Sequence, residues 1–344
     1  MTAVSDLEKT VGYITHLRKR SYEDPDWFCQ GLIPPGTVDG GLWDGRKGEY
    51  TNVYWNLAGM KAAIQAAHWL GNEEQARTWQ REFDNFWSVF RARASQDLRQ
   101  DSVGNTYLPT LMNNLGDELP QRAQWSFCLA VHPGQVFKRG DPLAEGTMAM
   151  LENTKKEGLI CGTGWDPEGL WNGFASFYGH ARLWMGDSSK AKDALYAFAN
   201  HASPLLAWRE EQSPRDKPYR KVGDMPHNWA SAEFIRLTVH LLALDRGTEL
   251  HLFEGLPEAW VKPGMKTELR DIITPFGPLS FQLAVSPDGD SATLDLAALT
   301  GSTCDKIVLH LDHWTGINTG TTLALQPGQA HVIRIPLSRN SGAE

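Results

Sequence analysis

The chain has 344 residues, enough for one large domain or two ordinary ones, and 41% of them are apolar, as in a globular protein. Its net charge is 33 − 41 = −8 with no long run of either sign, so the basic face of a nucleic-acid binder is missing. No apolar stretch approaches the ~18 residues of a membrane span, and the polar segment 1–10 has no signal-peptide core, which sets the cytoplasm as the default compartment; a piece of a longer secreted protein would read the same way.

Helical periodicity runs through the first 245 residues. Leu7, Val11 and Ile14 mark one face of a first helix. Val53, Leu57, Met60, Ile64 and Ala67 keep the 4-3-4-3 spacing of a buried stripe, closed by Gly71. Ala76, Trp79, Phe83, Phe86 and Phe90 mark the next, over 73–92. A shorter apolar helix lies within 121–131, before Pro133-Gly134. Asp141-Pro142 reads as N-cap and first helical residue of a helix running to about Lys156. Leu170, Phe174, Phe177, Ala181 and Trp184 form a stripe closed by Gly186. Ala191, Leu195, Phe198 and Ala202 follow, and Ala230, Phe234, Leu237, Leu241 and Leu244 make the last. Helices that follow long tryptophan-rich loops are apolar on most sides, and their successors carry charge on one face. That alternation predicts an inner and an outer helical layer.

After Gly247 the period becomes two. Strands are predicted over 249–253, 276–285, 292–296, 306–311 and 331–337, with a hairpin turn at Pro287-Asp288-Gly289-Asp290. The expected architecture is mainly α: an (α/α)-barrel domain over 1–246, then a linker and a small C-terminal antiparallel β-sandwich over 247–344.

One local design occurs three times: a glycine-bearing loop with tryptophan and carboxylates, then an amphipathic helix. The corners are Gly40-Gly41-Leu42-Trp43-Asp44 through Glu49, Gly164-Trp165-Asp166-Pro167-Glu168-Gly169-Leu170-Trp171, and Gly223-Asp224-Met225-Pro226-His227-Asn228-Trp229. An indole stacks on the C–H face of a pyranose, and a carboxylate takes its hydroxyls or its proton. Fourteen tryptophans strengthen the sugar reading. Three such corners are expected to face one hollow.

Glycoside hydrolysis needs two carboxylates about 5 Å apart for retention and about 6.5–9.5 Å for inversion. Asp166 and Glu168 form the first candidate cluster, with Glu168 at the predicted helix start where the macrodipole favours a carboxylate. Asp44 and Glu49 form the second. Asp166 and Glu168 equally fit a helix N-cap pair, Asp44 and Glu49 a loop Asp and a first-turn Glu near Arg46 and Lys47, and Asp224 a helix cap. Trp43, Tyr54, Trp55, Trp165, Trp171 and Trp229 are the stacking candidates, and Asp224 and His227 are candidate hydroxyl ligands. Cys29, Cys128, Cys161 and Cys304 form no disulfide framework. No metal spacing, serine-nucleophile elbow or phosphate loop occurs, so no cofactor is implied; His310 and His313 beside Asp312 read as surface or structural.

Gly255-Leu256-Pro257-Glu258-Ala259-Trp260 after Leu250-His251-Leu252-Phe253 resembles the linker that ends the helical ring of six-hairpin glycosidases, in the α-L-rhamnosidase-like and α-L-fucosidase-like branches. Residues 273–281 are similar to the first strands of their β domain, and the helix entered through 223–227 resembles their last inner helix. Over about 40–285 the resemblance implies an (α/α)6 toroid with two catalytic carboxylates and inversion. Six hairpins need about twelve helices; about eight are predicted here, so about two N-terminal hairpins are expected to be absent, and with no match to the early acid motif either the acid comes from another loop or the ring is incomplete. An incomplete toroid leaves apolar sides of 1–20 and 228–245 to be covered, with a second copy of the chain as the expected cover. Three functions follow: an exo-acting, inverting glycoside hydrolase on an oligosaccharide or glycoside; a degenerate carbohydrate-binding protein or subunit; and a polysaccharide lyase or sugar epimerase using His227, Tyr219 and Arg220.

Overall fold

A computed structural model describes residues 3–25, 27–37, 42, 43, 45–113, 119–300, 303–316 and 321–338. The chain divides into two compact units, residues 1–186 with 197–232, and residues 187–196 with 233–344. Its helices are α1 (Ala3–Arg20), α2 (Tyr50–Trp69), α3 (Glu73–Asp97), α4 (Trp125–Val131), α5 (Pro142–Glu152), α6 (Phe174–Met185), α7 (Ser188–Asn200) and α8 (Asn228–Leu242). Among the described residues no helix is long and apolar enough to cross a membrane.

The helix ends follow local chemistry. Asn72 caps α3 by accepting from the Gln75 N–H at 3.2 Å, after Gly71 turns the chain at φ +72°. Asp141 caps α5 by accepting from the Leu143 N–H at 3.0 Å, with Pro142 behind it and Arg91 paired to its carboxylate at 2.9 Å. Gly186 ends α6 in the left-handed region. The stripe of α2 packs on α3 and α4 through an aromatic cluster. Tyr54 meets Phe90 at 5.9 Å and 81°, Phe137 at 5.9 Å and 70°, and Phe127 at 6.0 Å and 69°. Such edge-to-face pairs add to the area each ring buries.

Three helix ends differ from the sequence expectation, and the first is that of α3, which runs past 92 to Asp97 because Ala94 and Asp97 continue its buried stripe. The helix from Asp141 stops at Glu152, because Lys155-Lys156 pair with Leu159-Ile160 as a short ladder. The last helix stops at Leu242, and Leu244 belongs to a strand. The apolar run 241–244 suits either period; pairing of 243–246 with 249–252 decides it.

The second unit holds two four-stranded sheets, from β1 (Ala243–Arg246), β2 (Glu249–Leu252), β3 (Lys266–Thr274), β4 (Gly277–Val285), β5 (Ser291–Leu296), β6 (Lys306–His310), β7 (Thr322–Leu325) and β8 (His331–Pro336). The first has the order β1-β2-β6-β7 and the second β3-β4-β5-β8. The second is antiparallel throughout. The first is mixed, because β2 and β6 pair in parallel, which departs from the all-antiparallel expectation. Alternate residues of both sheets enter one apolar cluster: Leu250, Leu252, Ile307 and Leu309 from the first, and Phe281, Leu283, Leu294 and Ile335 from the second. The β4–β5 connection is the expected turn at 287–290, with Gly289 at φ +73°.

The aromatic cluster around Tyr54 carries the helical core, and Phe90 is fully buried in it. Phe90→Ala is expected to cost about 3–5 kcal/mol through lost burial and a residual cavity. Urea unfolding followed by tryptophan fluorescence checks it.

Candidate functional site

Residues 170–171, 211–212 and 221–222 form a three-stranded antiparallel ladder in the first unit. Further backbone bonds extend it: Asn172 N–H to Glu210 O at 3.1 Å, Glu210 N–H to Asp224 O at 3.2 Å, and His227 N–H to Trp208 O at 2.8 Å. The ladder therefore places the 164–171 and 223–229 corners beside each other. Between them lies a cavity of about 190 Å³, lined by Trp125, Trp165, Trp171, Trp229, Glu210, Gly164 and Leu42.

Its walls are indoles with ordered geometry. Trp171 is buried and meets Trp125 at 5.2 Å and 88°, and Trp229 at 5.6 Å and 79°. Phe177 on α6 backs Trp171 at 5.8 Å. Trp165 and Trp229 remain 42% and 49% exposed, leaving faces for a ligand. Glu210 brings a carboxylate to this wall. Gly223 lets it lie there, since a Cβ at that residue would stand 1.7 Å from Glu210 Oε2. His227 Nδ1 lies 3.8 Å from Glu210 and 3.5 Å from Asp224.

Beneath the wall sits Glu211, with none of its surface exposed. Its Oε2 accepts from the Trp165 N–H at 2.8 Å and the Asp166 N–H at 3.2 Å. Gly164 and Gly169 wrap over the carboxylate; Cβ atoms there would approach Oε1 to 2.8 and 2.5 Å. Burial pushes its carboxyl up to about 7, against the two N–H groups that favour the anion.

The candidates separate as follows. Trp165, Trp171 and Trp229 meet at the cavity. Asp224 is exposed beside His227 and Glu210. Asp166 is buried, caps its own loop by accepting from the Glu168 N–H at 3.0 Å, and lies 3.8 Å from Arg220. Glu168 points to solvent and pairs with Lys217 at 2.5 Å. The hydrogen bond and charge of Lys217 lower its carboxyl value. No helix dipole reaches it, because α6 begins only at Phe174.

The first corner contributes Leu42 to the cavity. Trp43 lines a separate small cleft with Arg99, Tyr107 and Arg122. Asp44 lies outside the described residues. Glu49 is buried before α2, where it accepts from Asn52 Nδ2 at 2.7 Å. Tyr54 is core, only 2% exposed, because its four aromatic neighbours enclose the ring. Trp55 lies on an open groove beside Ala58, Ala62 and Pro133.

Sequence reasoning passed over Glu210, Glu211 and Trp125. Glu211 opens a two-residue strand, Glu211–Gln212, too short for any periodicity, and Glu210 lies in the bend before it. The available signal was the Glu-Glu pair itself, between Trp208 and the proline-rich 213–226 segment.

No family model matches the chain, and no curated protein matches it. Among solved structures it is similar to the α-L-rhamnosidase of Streptomyces avermitilis complexed with L-rhamnose (12% identity, 97% of this chain and 30% of that one, TM-score 0.48). It is also similar to the native α-L-rhamnosidase of Aspergillus terreus (13%, 94% and 37%, TM-score 0.47). A glycosidase in complex with glucose gives 14% identity over 60% of this chain and 55% of that one, TM-score 0.46. The chain thus spans about half of the glycosidase and about a third of each rhamnosidase.

Glu211 makes stability depend on pH. Its carboxyl value rises from 4.5 in the unfolded chain to about 7 when folded, because burial disfavours the anion. Stability held by the neutral form is complete below the first value and lost as pH rises through the second. Glu211→Gln keeps an acceptor for both N–H groups. It is expected to melt above the native chain near pH 8.5, by up to ~3 kcal/mol, with the difference vanishing toward pH 4.5. Thermal unfolding across pH checks it.

Proposed function

We propose that the chain is carbohydrate-active, that the indole cavity holds one sugar unit, and that Glu210 is the carboxylate serving glycoside hydrolysis there. The observation that carries this reading is a carboxylate set into a wall of four tryptophans by two converging loops. Exposed indole faces offer stacking to pyranose C–H groups, and Glu210 with His227 offers hydroxyl or proton contacts. A volume of about 190 Å³ is below the ~300 Å³ of drug-sized pockets and suits a single ring, which supports exo action. Inversion, an (α/α) toroid over 1–246 and a β-sandwich over 247–344 belong to the same proposal.

One observation favours a second reading, a sugar-binding chain without turnover. Among the described cavity residues Glu210 is the one carboxylate, and Glu168 is engaged outward with Lys217. The lyase or epimerase reading gains nothing: Tyr219 is exposed, Arg220 faces Asp166, and neither lines the cavity.

Aryl-glycoside turnover separates the two. Glu210→Gln is expected to cut kcat by about 10²–10⁴-fold while sugar still quenches tryptophan fluorescence. Binding without turnover in the native chain selects the second reading. Neither binding nor turnover across a panel of monosaccharides and aryl glycosides rejects both.

A further inference from the structure

A separate constellation lies wholly in the second unit. Leu250 and Leu252 of β2, and Ile307 and Leu309 of β6, enter the core. The period of two therefore sends His251 and His310 to the opposite face of this parallel pair. There His251 Nδ1 lies 2.9 Å from His310 Nε2. Beyond β2, Phe253 takes a left-handed φ of +62°, so that it follows Leu252 into the core and Glu254 joins the face of His251. Beyond β6, His313 also has a left-handed φ, +68°, with its ring exposed. Left-handed conformations of bulky side chains gather where geometry is held for function. One donor atom from each of His251, His310 and Glu254 lies within 4.8 Å of the others.

The surroundings orient each donor. Glu249 Oε2 is 3.1 Å from His251 Nε2, so that nitrogen carries the hydrogen and Nδ1 presents its lone pair. Asp312 Oδ1 faces His310 Nδ1 at 3.9 Å. Arg246 grips Glu254 through Nε at 2.9 Å and Nη2 at 2.8 Å, fixing the carboxylate without covering every lone pair. Three carboxylates, Glu249, Glu254 and Asp312, stand against two permanent cations, Arg246 and Lys306.

We propose that His251 Nδ1, His310 Nε2 and a Glu254 oxygen bind a divalent zinc ion, with Glu249 and Asp312 orienting the two imidazoles. The donor set is a common zinc set, and carboxylates behind the histidines are the usual outer partners of such a site. Tetrahedral zinc with bonds of about 2.0–2.1 Å needs donors about 3.3 Å apart, so the two rings open by a few tenths of an ångström. His310 exchanges tautomers: Nε2 gives up its hydrogen and Nδ1 takes one facing Asp312, leaving the proton count unchanged. The fourth position is left to water or to a further ligand.

The test uses untagged, chelator-treated protein titrated with cobalt chloride and then zinc chloride. One equivalent of cobalt is expected to give the visible bands of a tetrahedral site, discharged by one equivalent of zinc, which also raises the melting temperature. His251→Gln and His310→Gln lose at least ~100-fold in zinc affinity; the milder Glu249→Gln loses about 10–100-fold. Asp224→Asn, in the other cluster of His and acidic donors, leaves cobalt binding intact. The assignment is overturned if the native chain takes up neither metal, if Glu249→Gln binds as tightly as the native chain, or if Asp224→Asn abolishes the bands. Sugar quenching of tryptophan fluorescence does not depend on this metal, so failure here is distinguishable from failure of the sugar site.

Discussion

The hydrogen bonds from the Trp165 and Asp166 amides to the buried carboxylate of Glu211 hold the indole wall in place. A carboxylate removed from water is costly unless it is bonded or protonated. Here both remedies are at hand, two N–H donors and a carboxyl value raised to about 7. The loop must then close over the acid, and it can do so only where side chains are missing. Gly164 and Gly169 meet that need, since a Cβ at either would collide with Glu211. Once the loop is closed, Trp165 and Trp171 have little freedom left.

The neighbouring glutamate has the opposite task. Glu211 opens the short strand and goes under the loop, while Glu210, in the bend before it, goes to the cavity. Gly223 then clears space for Glu210, as Gly164 and Gly169 do for Glu211. Two consecutive residues thus supply an anchor and a cavity carboxylate. The ladder bonds from Asn172 and Asp224 tie both flanking loops to it.

The second unit uses the alternation of side chains along a strand. Its parallel pair buries leucines and isoleucine on one face and gathers histidines and carboxylates on the other. Phe253 is central: its ring is edge-on to Phe281 at 5.0 Å and 88°, while its left-handed backbone turns Glu254 to the polar side. Core packing and polar clustering are therefore coupled through one residue.

Long periodic stretches were legible in the sequence. Helices α2, α3 and α6 and the strands β4 and β5 follow from stripe spacing and punctuation by Gly71, Gly186 and the 287–290 turn. Local chemistry of this kind needs only neighbours a few residues away. It also singled out Trp165, Trp171 and Trp229, because indoles beside glycine and acid are uncommon at a helix entrance. What the sequence could not decide was which acid faces the cavity. Glu168 has the more suggestive neighbourhood, yet Lys217, forty-nine residues away, draws it outward. Glu210 and Glu211 carry no periodic mark, and their roles come from pairing with 170–171 and 221–222. Tyr54 looks like Trp55 in sequence but is enclosed by rings from α3, α4 and Phe137. Helix and strand identity is set by short-range repeats; burial, charge partners and the direction of a carboxylate are set by contacts between distant segments, which exist only once the chain has folded.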